Sequence, residues 1–454
     1  MRVPAPKVTI AVVVALLAAG LAVVAVRAAD SGGGKVRASA TSTSSSSSST
    51  STALTTTTTA APPPTTAAAI PPALQATFAQ IQAQVAQLRG LPWLAPLDIA
   101  VAPDAQFEQQ LTYVNNRDLH VDRLQGDGVT LKVLQLIPQN LDYVKTVFGL
   151  YNGAVLGFYD PKTKKLLVRA NSTTLSPEER ITVAHEMDHA LTDQHFAFGP
   201  ATYALDLADK EEQGTGFTGL LEGDAKTLEA QWGAKYLTAS ERNQAASQSN
   251  GSASIYLTTP QYMVDSLLWP YTTGKAFVTS RYRAGGWAAV NAVYGRPPDS
   301  TLVVNQPQLY LSGYTWSPPP TPNLAAATGC TPVRNNTLGQ FTMEEMLAKS
   351  VGDITAEAAS LGWSGDAFAT VQCGSARGFA DRWTTPDTAS AGKLSSALSS
   401  WAGDWSGGHT APAADGRFSG PSGAGRIVVK STTIDIILGD DAPTADRVST
   451  AMGD

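Results

Sequence analysis

Apolar residues recur at helical spacing at Leu74, Phe78, Ile81, Val85 and Leu88, and Gly90-Leu91-Pro92 stops the pattern. That spacing predicts a first helix, with folding beginning near Leu74. Upstream the pattern disappears. Ala38 to Pro72 is nearly all Ser, Thr, Ala and Pro, a composition that cannot bury enough apolar surface to offset its ordering entropy. It is expected to form an extended stalk. Further upstream, Arg2 and Lys7 precede an uncharged apolar run from Val8 to Val26, ended by Arg27. Its length favours an uncleaved membrane anchor over a cleaved signal peptide, and either places the rest of the chain outside the cytoplasm.

Downstream, Ala154–Tyr159 and Lys165–Arg169 flank an Asp160-Pro161-Lys162-Thr163-Lys164 turn and predict a hairpin. Ser176-Pro177-Glu178-Glu179 carries an N-cap, a proline at the first helical position and an acid three residues after the cap. A helix is expected from Pro177 to about Gln194. A second helix, about Phe217 to Leu237, places Leu221, Ala225, Leu228 and Trp232 on one face. Shorter helices are expected at Tyr262–Leu268, Gly274–Arg283 and Trp287–Tyr294, the last two separated by a tight turn at Gly285-Gly286. After Gly339, strands at 427–429 and 433–438 and a helix at 390–401 suggest a small α+β domain. The expected organisation is therefore an anchor or signal peptide at 1–29, a stalk at 30–73, a mainly helical α+β region at 74–338 with a small sheet or hairpin, and a C-terminal α+β domain at 339–454.

Composition changes this picture in two places. The net charge is −6 with no long basic run, which speaks against nucleic-acid binding. The two cysteines, Cys330 and Cys373, have no metal-site spacing, and in an exported chain they are expected to form one disulfide.

The chemistry concentrates at His185-Glu186-Met187-Asp188-His189. Histidines four apart on a helix project on one face and can grip one ion, and zinc takes three protein ligands and keeps a position open for water. Glu186 stands where a carboxylate can take a proton from zinc-bound water. Only five histidines occur in the chain, yet three fall between positions 185 and 195. For the third ligand there are two candidates. His195 has the metzincin spacing, but Thr192 stands where that pattern needs Gly, and a continuing helix turns His195 about 120° away from His189. Glu222, on the second helix, would complete a His2Glu set and is favoured.

The blocks His185-Glu186-x-x-His189-Ala190-Leu191-x-Asp193-Gln194-His195-Phe196 and Glu222-Gly223-Asp224-Ala225 resemble a group of largely uncharacterised bacterial and archaeal metallopeptidase-like proteins of gluzincin type, secreted or membrane-anchored. The likeness continues through Pro270-Tyr271-x-x-Gly274-x-x-Phe277-Val278, Gly285-Gly286-Trp287-x-Ala289-Val290-Asn291, Pro297-Pro298-x-Ser300-Thr301 and Gly362-Trp363-x-Gly365-Asp366. It implies Zn2+, a zincin-like peptidase fold and Glu222 as third ligand. Two features depart from the pattern: Leu302–Pro307 lacks an expected Glu-Gln and His-Pro, and Lys226 stands where thermolysin-like enzymes carry an Asp that buttresses a zinc histidine. Asp224 or Asp193 could serve as that buttress, although a helix-surface carboxylate is the favoured reading of either.

The expected function is hydrolysis of peptide bonds in a peptide or protein substrate, with the hairpin placed to pair with an extended substrate. Tyr262, Tyr271, Tyr282 and His409 are the candidates for an oxyanion donor, and Met263 is expected in the core. The alternatives are a zinc amidohydrolase of the cell envelope and a catalytically silent envelope zinc protein. Glu186 argues against the latter, since a structural site needs no acidic neighbour.

Overall fold

A computed structural model of the chain describes residues 70–153 and 155–454. The expected anchor, and all of the expected stalk but its last residues, lie outside these. Among the described residues no helix is long and apolar enough to cross a membrane. The fold is mixed α+β, predominantly helical, with two sheets.

The first helix, α1 (Pro72–Arg89), buries Leu74, Phe78, Ile81, Val85 and Arg89. Gly90 ends it in the left-handed conformation (φ 66°), its N–H and that of Leu91 both returning to the Ala86 carbonyl. Strand β1 (Asp98–Ala102) and helices α2 (Asp104–Asp118), α3 (Val121–Val133) and α4 (Tyr143–Gly153) follow. The predicted hairpin forms from β2 (Gly157–Asp160) and β3 (Lys165–Arg169), antiparallel, with Tyr159 opposite Leu166. Strand β1 adds to β3 in parallel, so the sheet order is β1-β3-β2.

Helix α5 (Pro177–Phe196) starts at the predicted capping box. The Ser176 hydroxyl accepts from the Glu179 N–H, and the Glu179 carboxylate accepts from the Ser176 N–H. Helices α6 (Phe198–Leu207), α7 (Glu211–Tyr236), α8 (Ala239–Ser252) and α9 (Gln261–Trp269) come next. Helix α7 starts six residues before the predicted Phe217, because the extension buries Glu212, Thr215 and Gly216 against other elements. A π-helical turn, Pro270–Gly274, joins α9 to α10 (Lys275–Val293). The two helices predicted in this last stretch form on either side of a break at Gly285 and Gly286, where the backbone is non-helical and Gly286 adopts φ 62°; α10 is used for both.

The C-terminal sheet is antiparallel, in the order β4 (Thr331–Asn336), β5 (Gly365–Cys373), β6 (Ala376–Thr384), β9 (Thr433–Gly439), β8 (Gly423–Lys430), β7 (Arg417–Gly420). It reaches back across the boundary expected at residue 339 by taking in β4. Cys330, just before β4, is disulfide-bonded to Cys373 at the end of β5. One hydrophobic core runs from Leu119 and Leu131 through Phe217, Trp269 and Phe341 to Trp405 and Phe418, so the helical region and this sheet share it.

The helical region also holds a buried ionisable contact. Glu212, buried in the first turn of α7, accepts from the Thr301 N–H at 2.6 Å and the Thr301 hydroxyl at 2.8 Å. Burial raises its pKa and the Thr301 bonds oppose this, leaving it at about 8. A folded-state pKa above the unfolded one means that the native chain holds a proton which the unfolded chain gives up first. This contribution is therefore full below about pH 4.5 and is lost as pH rises through about 8. Unfolding free energies from urea denaturation at pH 5, 7 and 9 are expected to fall for wild type relative to Glu212→Gln, by more than about 1 kcal/mol over that range.

Candidate metal centre

Three polar side chains meet in the interior where α5 crosses α7. His185 and His189, one turn apart on α5, bring their Nε2 atoms to 3.1 Å of each other. From α7, Glu222 places Oε2 3.2 Å from His185 Nε2 and 3.5 Å from His189 Nε2. A tetrahedral ion with bonds of about 2.0–2.1 Å has donor atoms roughly 3.3 Å apart, so the three separations fit one. All three residues are buried, at 2%, 1% and 2% exposure, and they form a group able to hold a metal ion.

The charge state of the carboxylate suits that role. Burial would raise the Glu222 pKa, but His189 and His185 outweigh it and hold the group at about 2. Burial would lower the His185 pKa, yet hydrogen bonding to Glu222 and Glu229 raises it to about 10. A metal ion must therefore displace a proton here, as metal binding to imidazole generally requires.

Glu186 is fully buried beside them. Its Oε2 accepts the Tyr159 N–H of β2 at 2.8 Å, while Oε1 has no hydrogen-bond partner among the described residues. The hairpin therefore lies beside α5, as its position in the sequence predicts. Its role as an open platform is not seen, because all four β2 residues are buried and Glu186 takes the Tyr159 N–H.

His195 is not among the converging ligands. Its Nε2 lies 2.7 Å from the Pro92 carbonyl, away from the cluster. The rest of that block braces the fold. Asp193 accepts from the Tyr159 hydroxyl, Lys164 and the Gly199 N–H. Gln194 accepts from the N–H groups of Leu94 and Ala95 and donates to the Ala95 carbonyl. Neither Asp193 nor Asp224 has a hydrogen bond to a cluster histidine. That partner is Glu229, 3.1 Å from His185 Nδ1 and itself bonded twice by Lys226. Seven residues beyond Glu222, Glu229 lies on the same face of α7 two turns on, a spacing that could have flagged it.

Of the four oxyanion candidates, Tyr271 alone is seen against the cluster, its ring centroid 6.4 Å from that of His185. Burial, reinforced by Glu222 and Glu186, pushes its phenol pKa well above the ordinary value, so it stays a protonated donor. Tyr262 and Met263 sit in the main core, Tyr282 packs edge-on against Trp287, and His409 is exposed and paired with Asp404.

Neither a family model nor a curated relative matches the chain. One matching solved structure is described as "a putative hydrolase with a novel fold" from Chloroflexus aurantiacus. It is 16% identical, covers 56% of this chain and 92% of its own, and superposes with a TM-score of 0.38, too low to support an argument about fold or activity.

Proposed function

We propose that the chain is an extracytoplasmic zinc-dependent metallopeptidase of gluzincin type, built on a zincin-like arrangement and held at the membrane by its N-terminal apolar segment. The observation that supports this most is the meeting of two imidazoles and one carboxylate at tetrahedral spacing with Glu186 alongside. Two nitrogen donors in three favour zinc over magnesium or calcium, which take oxygen.

His185, His189 and Glu222 would hold the ion. When bound, it supplies Lewis acidity that polarises the scissile carbonyl and makes water a nucleophile near neutral pH. The side chains do the rest. Glu186 takes a proton from the attacking water and returns it to the leaving nitrogen. Glu229 fixes the His185 ring through Nδ1. Tyr271 is assigned the donor to the developing oxyanion.

One observation favours the catalytically silent alternative. The ligands and Glu186 are each at most 2% exposed, so a peptide reaches them only if the walls part. Metal analysis and a peptide-library cleavage assay on the full chain separate the readings. Wild type is expected to carry about one zinc per chain, Glu222→Ala to lose it and His195→Ala to keep it. Zinc retained by Glu222→Ala would remove the third-ligand assignment. A zinc-loaded wild type that cleaves nothing would leave the silent reading in place.

A further inference from the structure

Arg89 is the last residue of α1 and is buried at 1% exposure, on a helix stripe otherwise made of Leu74, Phe78, Ile81 and Val85. That stripe packs on Val183, Ala184, Met187 and Leu191 of α5 and on Leu228 and Trp232 of α7, so α1 lies across both ligand-bearing helices. At its end the guanidinium spreads between them. Nε donates to Asp188 Oδ1 at 2.9 Å and Nη2 donates to Asp224 Oδ2 at 3.0 Å. Asp188 immediately precedes His189, and Asp224 lies two residues past Glu222. The Tyr294 hydroxyl donates to the same Asp224 oxygen at 2.7 Å, and the Trp287 ring lies 4.1 Å from the guanidinium carbon.

We infer that Arg89 is a positioning residue for the metal site: its two nitrogens, each on a different carboxylate, fix the separation of α5 from α7 and so the spacing of the histidine pair from Glu222. The inference rests on the metal-site reading above. Three features carry it. The fork is planar and rigid, so its two bonds set a distance as well as a charge balance. Both aspartates are one or two residues from a ligand, so movement at either moves a donor atom. The Trp287 face, from α10, covers the fork, and the hydroxyl of Tyr294, just past the end of α10, holds the Asp224 oxygen that the fork binds. Lysine, a single point charge, cannot reproduce this.

The test uses the full chain, with Zn2+ affinity from chelator competition and the visible spectrum of the Co2+-substituted protein. Arg89→Lys is one variant. The triple variant Arg89→Met, Asp188→Asn, Asp224→Asn is the second, since removing all three charges avoids a folding defect from unpaired buried groups. Arg334→Lys, which disturbs the remote buried set with Asp127 and Asp209, is the control for a general loss of stability. Both Arg89 variants are expected to bind Zn2+ at least about tenfold more weakly with an altered Co2+ spectrum, and the control to match wild type. Either folded Arg89 variant binding as tightly as wild type with an unchanged spectrum would overturn the inference. So would an equal loss in the control. A wild type that binds neither ion would instead overturn the metal-site reading itself.

Discussion

Glutamine at position 186 is expected to keep zinc affinity close to wild type and to lower the peptide-hydrolysis rate by about 10²–10⁴-fold. Glu186 is not one of the three converging donors, so its replacement leaves His185, His189 and Glu222 in place. Gln is isosteric and still offers an oxygen to the Tyr159 N–H, so the brace between α5 and β2 survives. It cannot accept a proton. The carboxylate suits the task because burial pushes its pKa well above the usual range, against the pull of the neighbouring His185. A carboxylate whose pKa is raised is a stronger base than an exposed one. Zinc content measured on the same preparation separates lost chemistry from lost metal. Hydrolysis at the wild-type rate would reduce Glu186 to a brace for β2 and leave the base to another group.

Much of this site could be read from short-range rules. The Ser176–Glu179 box fixes where α5 begins, and the four-residue spacing then puts His185 and His189 on one face. The same rule turns His195 away, and it does lie against Pro92. What the sequence did not disclose depends on contacts between segments far apart in the chain. Arg89 follows Phe78, Ile81 and Val85 at helical spacing, and a charge at such a position is ordinarily read as the exposed end of a helix. Only the arrival of Asp188 and Asp224 from two other helices makes its burial tolerable. Glu229, which holds the His185 ring, gave a different kind of signal: the thermolysin-like pattern puts its buttress four residues after the ligand Glu, where Lys226 stands. Here the carboxylate has moved one turn along, and Lys226 holds it there. The backward reach of the C-terminal sheet to Thr331 was likewise hidden, because an edge strand carrying Pro332, Arg334, Asn335 and Asn336 lacks the apolar alternation that marks a strand.

Alanine at Gly223 is expected to destabilise the protein by about 3 kcal/mol or more and to weaken zinc binding, although Ala is the better helix former. In a helix interior that preference is worth about 1 kcal/mol in favour of Ala. Against it stands a backbone collision. A Cβ on Gly223 would enter the Gly274 carbonyl of the π-helical turn, and a Cβ on Gly274 would in turn enter the Gly219 carbonyl. Gly219 and Gly223 are one turn apart on α7, so together they form the groove in which that turn lies. Overpacking typically costs 1–3 kcal/mol where side chains can shift, and here the obstacle is main chain, which places the cost at or above the top of that range. The only relief is for residues 270–274 to lift away from α7, carrying Tyr271 off His185 and loosening the segment beside Glu222. Gly233, on the same helix, is the control, since a Cβ there meets nothing within 4 Å. Gly233→Ala should be neutral or stabilising by up to about 1 kcal/mol, with zinc affinity unchanged. Denaturation midpoints and chelator competition on the two variants decide the matter. Equal behaviour at positions 223 and 233 would mean that the close approach of the turn to α7 is not what holds Tyr271 over the site.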